Sequence, residues 1–384
     1  MSEDLERRVL RRLREWREAG LDRTLKPPSG IDLSSNDYLA LAADPRVRER
    51  FALAAAEGCG STGSRLLRGE RDAFGAIEAR FAEFKRSERS LYFSSGYLAN
   101  VGVLTALTEA GDVIFSDARN HASLIDGARL SRATRVVVPH LDLGALRDAI
   151  RRTPCSGHRF VVVESLFSMD GDRAPVGEYA ATCEEFGATL IVDEAHAVGV
   201  YGERGSGAIE AAGLPHDRLV SINTAGKALG VAGAFVAGPA WAIEYLVQRA
   251  RPFVFSTAAP PALAAALDAS LDVVDAEPER RRRVLALAAR LRHRLASDGL
   301  IDAGGTSQIV PIVLGQNESA VAVAGCLQRD GFDARAIRWP TVAQGSARLR
   351  VSINAGLSEA TIDRFGDALV RAVKESGICS VASS

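Results

Sequence analysis

A surplus of charge of either sign is what this sequence most plainly lacks. Its 384 residues hold 47 Lys and Arg against 48 Asp and Glu, a net charge of −1. No basic excess exists to hold a nucleic-acid backbone, so nucleic acid is not an expected partner. No apolar run reaches the roughly 18 residues a membrane-spanning helix needs, so no membrane partner is expected. Cysteine is sparse and unpatterned. Cys59, Cys155, Cys183, Cys326 and Cys379 fall without any C-x-x-C spacing, which indicates neither a zinc site nor a disulfide framework and points to a reducing compartment. An acid-poor leader is missing too: Ser2 to Gly20 is arginine-rich but interleaved with Glu3, Asp4, Glu6, Glu15 and Glu18. That stretch reads as an amphipathic helix of a cytoplasmic protein and not as a transit peptide. Neither an internal repeat nor a low-complexity segment occurs, and disorder is expected only at the termini, including Ser380 to Ser384.

What remains fits a globular chain with one large core and a smaller second domain, at 47% hydrophobic and 25% charged residues. The expected divisions are an N-terminal helix and arm (1–50), a large domain (51–275) and a small C-terminal domain (276–384). From Ser90 onward, short apolar runs alternate with helical segments. Strands are expected at Leu91 to Phe93, Val113 to Ser116, Arg135 to Pro139, Phe160 to Val163, Leu190 to Asp193, Leu219 to Asn223 and Ala234 to Ala237. Intervening helices are expected over Leu98 to Glu109, Ser123 to Ser131 and Leu143 to Arg152. This pattern implies a mostly parallel sheet covered on both faces. A charged helix from Glu277 to Leu300 opens the small α+β domain, and its Arg280-Arg281-Arg282-Arg283 run reads as a solvated face.

The stretch with the clearest chemistry is Ser221-Ile222-Asn223-Thr224-Ala225-Gly226-Lys227-Ala228-Leu229-Gly230. A lone lysine among small residues after an apolar strand loses hydration, so its pKa tends to fall and it can be a nucleophile; the bland alternative is a surface lysine in a glycine-rich turn. Such a lysine forms Schiff bases with carbonyl cofactors, pyridoxal phosphate (PLP) above all. Upstream, Leu190-Ile191-Val192-Asp193 ends a strand on a carboxylate, at the edge where open α/β sheets bind ligands. A carboxylate there can keep a pyridine nitrogen protonated; the bland alternative for Asp193 is a helix N-cap.

Gly58-Cys59-Gly60-Ser61-Thr62-Gly63 satisfies G-x-G-x-x-G, but a helix-like segment, Val47 to Glu57, precedes it. The nucleotide fingerprint has meaning only between a strand and a helix, so a nicotinamide dehydrogenase is disfavoured. Thr62 to Gly69 reads as a loop whose two arginines, Arg65 and Arg68, are suited to reaching an active site. Ser94-Ser95-Gly96-Tyr97 offers backbone N–H groups and a helix N-terminus to a phosphate.

Taken in order, several motifs resemble those of the α-oxoamine synthases over nearly the whole chain. They are Ser34-Ser35-Asn36-Asp37-Tyr38-Leu39, Gly60-Ser61-Thr62-Gly63-Ser64-Arg65, Ser94-Ser95-Gly96-Tyr97 and Asn120-His121-Ala122-Ser123. Phe167-Ser168-Met169-Asp170-Gly171-Asp172, Val192-Asp193-Glu194-Ala195-His196 and Thr224-Ala225-Gly226-Lys227-Ala228-Leu229-Gly230 complete the set. The resemblance implies an α/β PLP-dependent transferase of the aspartate-aminotransferase type (fold type I), with a mostly parallel sheet in the large domain and a smaller α+β C-terminal domain. It also implies roles. Lys227 would carry PLP, Asp193 would pair with its ring nitrogen, His196 would lie near its phenolic oxygen, and His121 would stack on its face. Gly96, Tyr97 and Thr224 would hold the phosphate and Ser168 would touch the cofactor. Ser256 and Thr257 resemble the segment by which a second subunit completes the site, which implies a homodimer. Arg350 and Asn36 would bind the amino-acid carboxylate, and Arg23 and Thr341 would face the acyl substrate.

Within the family, Ile337-Arg338-Trp339-Pro340-Thr341-Val342 and Ala347-Arg348-Leu349-Arg350 most resemble the members that condense L-alanine with a pimeloyl thioester in biotin synthesis. The thioester would be carried by coenzyme A or acyl carrier protein. Trp339 and Ala343 stand where those members usually have proline, near the implied acyl-chain entrance. Sister enzymes that condense glycine with acetyl- or succinyl-coenzyme A, or serine with a long acyl group, would share every PLP residue.

Overall fold

The computed structural model describes residues 2–302 and 304–376; Cys379 and the expected disorder of Ser380 to Ser384 lie outside them. The chain opens with α1 (Ser2–Glu18), β1 (Ile31–Asp32), α2 (Pro45–Ala55) and α3 (Asp72–Lys85). Strand and helix then alternate through β2 (Arg89–Phe93), α4 (Gly96–Leu107), β3 (Val113–Asp117), α5 (Ala122–Leu130), β4 (Thr134–Val138) and α6 (Leu143–Arg152). Next come β5 (Arg159–Glu164), α7 (Val176–Phe186), β6 (Thr189–Asp193), α8 (Ala208–Ala211), β7 (Leu219–Thr224) and β8 (Ala234–Gly238). Helices α9 (Ala240–Arg249), α10 (Arg251–Val254) and α11 (Ala262–Ala276) lead to α12 (Pro278–Ser297). The chain continues through β9 (Ile309–Gly315), α13 (Asn317–Arg329), β10 (Phe332–Asp333), β11 (Ala336–Ile337), β12 (Ala347–Ser352) and α14 (Glu359–Glu375).

Seven strands form the main sheet in the order β2-β8-β7-β6-β5-β3-β4, and β8 pairs antiparallel with both its neighbours while the remaining pairs are parallel. The mostly parallel sheet expected from the apolar runs is therefore the one found. Phe160 and Val162 pack with residues of α4, α5 and α9, whereas Val161 and Val163 of the same strand pack with residues of α3, α6 and α7. Burial on both faces is why these strands read as continuous apolar runs without alternation. Local signals set the helix starts: Ser95 caps α4 through the Leu98 N–H, and Asp142 caps α6 through the Ala145 N–H.

Register determines which loops meet. Glu164 pairs with Asp193, Asp193 with Ile222, and Ala234 with both Phe93 and Thr224. The ends of β2, β5, β6 and β7 therefore share one edge of the sheet. The smaller sheet, β11-β12-β9, is antiparallel, and β1 pairs in parallel with β10. The N-terminal arm is thus fastened to the C-terminal part of the chain, where Arg335 and Arg338 also donate to backbone carbonyls between Gly20 and Pro27.

One expectation holds only in part. The run from Arg280 to Arg283 is solvated at Arg282 and Arg283, which are exposed, whereas Arg280 is half-buried and Arg281 buried. Arg280 donates to the Leu39 and Ala40 carbonyls and the Asp44 carboxylate, Arg281 is buried against the Val274 and Glu203 carbonyls, and Arg283 donates to the Ala355 and Leu357 carbonyls. A guanidinium fork satisfies several carbonyls at once, so three of these arginines tie separate segments together.

Candidate active site

Lys227 sits in the loop that leaves β7, a strand whose buried residues bring the chain to the sheet edge. The loop is pressed close: at Gly230, whose φ is +66°, an added Cβ would lie 2.5 Å from the backbone nitrogen of Ala42. Only glycine fits there. The Lys227 Nζ lies 2.8 Å from His196 Nε2, and His196 Nδ1 lies 2.7 Å from the Tyr38 hydroxyl. That hydroxyl is 3.1 Å from Asn36 Oδ1 and accepts from Arg350 Nη2 at 3.1 Å. Burial, reinforced by the charges of Lys227 and Arg350, holds the His196 imidazole well below its ordinary pKa, so the ring is neutral. One arrangement then satisfies every group: the lysine donates to Nε2, Nδ1–H donates to the tyrosine oxygen, and the tyrosine proton goes to Asn36. Desolvation also draws the Lys227 ammonium down to about 8, while Asp193 and Glu164 pull the other way.

Asp193 is buried, and its two oxygens accept from the Asn100 side-chain amide and the Ala195 backbone N–H, each at 2.8 Å. The Asn100 amide also donates to Ser123 Oγ at 2.8 Å, and that hydroxyl lies 2.7 Å from His121 Nδ1. His121 occupies the N-cap of α5, so backbone geometry and the Ser123 hydroxyl together hold its ring. Its backbone N–H donates to Glu164 Oε1 at 2.5 Å. Burial lowers the His121 pKa; Asp193 offsets this and Lys227 adds to it. Burial first, and Asp193 second, push the Glu164 carboxyl up to about 8.

Beside these groups lies an anion cradle. Gly96 and Tyr97 begin α4, so their N–H groups lie in its unsatisfied first turn. An added Cβ at Gly96 would meet Thr224 Oγ1 at 2.5 Å, which leaves room there for glycine alone. The Tyr97 ring turns outward, 46% exposed, and its hydroxyl donates to Asp126. Arg350 is buried. Its Nε donates to the Ser168 carbonyl and its Nη1 to Ser352 Oγ, so the guanidinium fork meets protein groups on every side.

Tertiary structure thus links Lys227, His196, Asn36, Arg350 and Ser168 in one network, places Asp193 and His121 in a second, and sets Gly96 against Thr224. Ser256 and Thr257 line a small cleft with Ser94 and Arg65, and Ala258 donates to the Gly63 carbonyl. Arg23 lines a separate cleft with Arg335 and Arg338, and Thr341 donates its backbone N–H to the Arg338 carbonyl; neither bonds to the Lys227 or Asp193 networks among the described residues. Arg65 corrects the picture of a reaching loop: it pairs with Glu70 and Glu78 and lies 4.6 Å over the Phe74 ring. Sequence reading passed over Tyr38, Asn100 and Glu164 as site residues. Glu164 ends Val161-Val162-Val163-Glu164 as Asp193 ends its own run, so the same strand-end signal would have found it.

The donor set suits PLP. A partly neutral lysine amine, a carboxylate fixed by two hydrogen bonds, and a glycine-lined helix start meet at one sheet edge. Comparison with known proteins agrees. The model of the aminotransferase class I and II family matches residues 28–369. An 8-amino-7-oxononanoate synthase of Anaeromyxobacter dehalogenans is 49% identical over 340 residues, 88% of this chain and 85% of that one. A solved serine palmitoyltransferase from S. paucimobilis, with a bound PLP–myriocin aldimine, has a TM-score of 0.89 and 28% identity, covering 97% of this chain and 98% of that one. The solved 8-amino-7-oxononanoate synthase of Francisella tularensis has a TM-score of 0.79 and 28% identity, covering 91% and 99%. The chain therefore belongs to the aminotransferase class I and II family and, within it, to the α-oxoamine synthases, most like the 8-amino-7-oxononanoate synthases.

Proposed function

We propose that this protein condenses L-alanine with a pimeloyl thioester, releasing carbon dioxide and the carrier thiol to give 8-amino-7-oxononanoate for biotin synthesis. The observation that carries this reading is the Lys227 amine, lowered to about 8 and held at the sheet edge beside Asp193. The names and identities of the relatives supply the substrates. PLP, when bound, supplies the electron sink for a carbanion at the amino-acid Cα. Lys227 holds the cofactor and, once freed, takes the Cα proton and later returns one. Asp193, fixed by its two hydrogen bonds, would keep the ring nitrogen protonated, and His121 would lie against the ring and donate to developing negative charge. The Gly96 and Tyr97 N–H groups and Thr224 Oγ1 hold the phosphate, while His196 and Ser168 orient the ring. Arg350 and Asn36 take the substrate carboxylate, for which the Arg350 fork exchanges its present partners for a bidentate pair.

Arg23 and Thr341 face the acyl thioester, whose carrier is coenzyme A or acyl carrier protein. The working unit is a cytoplasmic homodimer in which Ser256 and Thr257 complete the partner's phosphate site. Exposed Leu67 (80%) and Phe255 (71%), on the two loops joined near Gly63, support an interface there. Borohydride trapping and product mass spectrometry test the reading. Wild type should trap PLP and turn alanine plus pimeloyl thioester into the expected mass, and Lys227→Ala should do neither. Turnover only with glycine or serine would move the protein to a sister activity.

A further inference from the structure

Two carboxyl groups stand side by side at the ends of neighbouring strands. Glu164 closes β5 and Asp193 closes β6, and the two are paired in the parallel register. Their side chains therefore leave the same face of the sheet, with strands about 5 Å apart. Both are buried. Two carboxylates so placed cannot both ionise freely, and burial, with Asp193 alongside, raises the Glu164 carboxyl. Asp193 receives two hydrogen bonds, from Asn100 and the Ala195 N–H. Glu164 receives the His121 N–H alone, and its second oxygen has no hydrogen-bond partner among the described residues.

This inference rests on Lys227 being the cofactor lysine. We propose that Glu164 is a positioning residue: a neutral carboxyl beside Asp193, it fixes His121 through the His121 backbone N–H. The groups that act on Glu164 come from the ends of three strands and a helix start: Asp193, Lys227, Asp117 and His121. Lys227 draws the proton off Glu164, while Asp193 and Asp117 hold it there, as does burial, which pushes the carboxyl up to about 8. Charge on Glu164 would in turn hold the proton on the Lys227 nitrogen. Loss of either proton thus makes loss of the other harder, and the pair titrates over a widened range.

The test is an absorbance titration of the PLP-loaded enzyme against pH in wild type, Glu164→Gln and Glu164→Leu, with steady-state kinetics at pH 7. Wild type should titrate more broadly than a single proton, and Glu164→Gln should titrate as one proton with its midpoint about one unit lower. Glu164→Leu, which offers His121 no acceptor, should lower kcat by about tenfold or more with little change in the alanine KM. Glu164→Gln should recover most of that loss, because its amide oxygen still accepts the His121 N–H. A Glu164→Gln titration identical to wild type, or kinetics no better than Glu164→Leu, would overturn the proposal and leave the cofactor reading intact. A colourless wild type that resists borohydride trapping would overturn the cofactor reading, and this proposal with it.

Discussion

The Lys227 amine and His196 Nε2 face each other at 2.8 Å, a lysine against a neutral imidazole and not against a carboxylate. An acceptor without charge satisfies the lysine without anchoring its proton, which suits a residue that must lose it. In the cofactor-free protein, reaction of Lys227 with a small aldehyde should rise with pH around a midpoint near about 8. Borohydride-trapped adduct, counted by mass spectrometry against pH, measures this. A midpoint near the ordinary lysine value of about 10.4 would remove the basis for calling this lysine activated.

Tyr38 joins a cation to a neutral ring, accepting from Arg350 and lying against His196. Arg350→Lys keeps the charge but loses the fork, so the alanine KM should rise by about tenfold or more while the thioester KM changes little. Tyr38→Phe should also raise the alanine KM, and by less. Initial-rate kinetics with each substrate varied in turn separate the two effects.

Lys85 and Glu194 form a fully buried ion pair next to Asp193; the lysine also donates to the Ser206 carbonyl, and Glu194 accepts the Ile209 N–H. Lys85→Ala would strand a buried carboxylate and should cost about 3–5 kcal/mol in urea unfolding. Lys85→Met combined with Glu194→Leu should cost less than the sum of its two single changes, since neither leaves an unpaired charge for the other.

His140 lies between Asp117, at 2.9 Å, and Asp172, at 3.2 Å. Desolvation lowers its pKa, but hydrogen bonds to the two carboxylates outweigh it and raise the imidazole to about 9. A raised folded value stabilises the fold fully below the ordinary histidine value of about 6.5 and stops doing so as pH climbs through the folded one. The stability advantage of wild type over His140→Gln should therefore shrink between pH 7 and 10. Thermal or urea midpoints across that range measure it, and a constant difference would contradict the charge assignment.

Composite sites predict complementation. A Lys227→Ala protein, and one with Ser256 and Thr257 both changed to bulky residues, should each be impaired. Under subunit exchange at equal mixing, heterodimers would carry one intact site, and activity should approach roughly a quarter of wild type. No recovery despite proven exchange would mean that the site is built within one chain.

Much of the fold was legible because strands buried on both faces leave unbroken apolar runs, and strand ends in such sheets are marked by polar residues such as Asp193 and the loop to Lys227. What joins the site was not legible. Tyr38 meets His196 across 158 residues and Arg350 across 312, contacts that exist only after the arm and both sheets have packed. The run from Arg280 to Arg283 shows its charge in sequence but not the carbonyls it ties together, and Arg65 shows a cation but not the two glutamates that hold it. Protonation belongs to the same class. Glu164 and Asp193 are alike as strand-end carboxylates, and only the packed fold and its strand register bury Glu164 beside Asp193 and so raise its carboxyl.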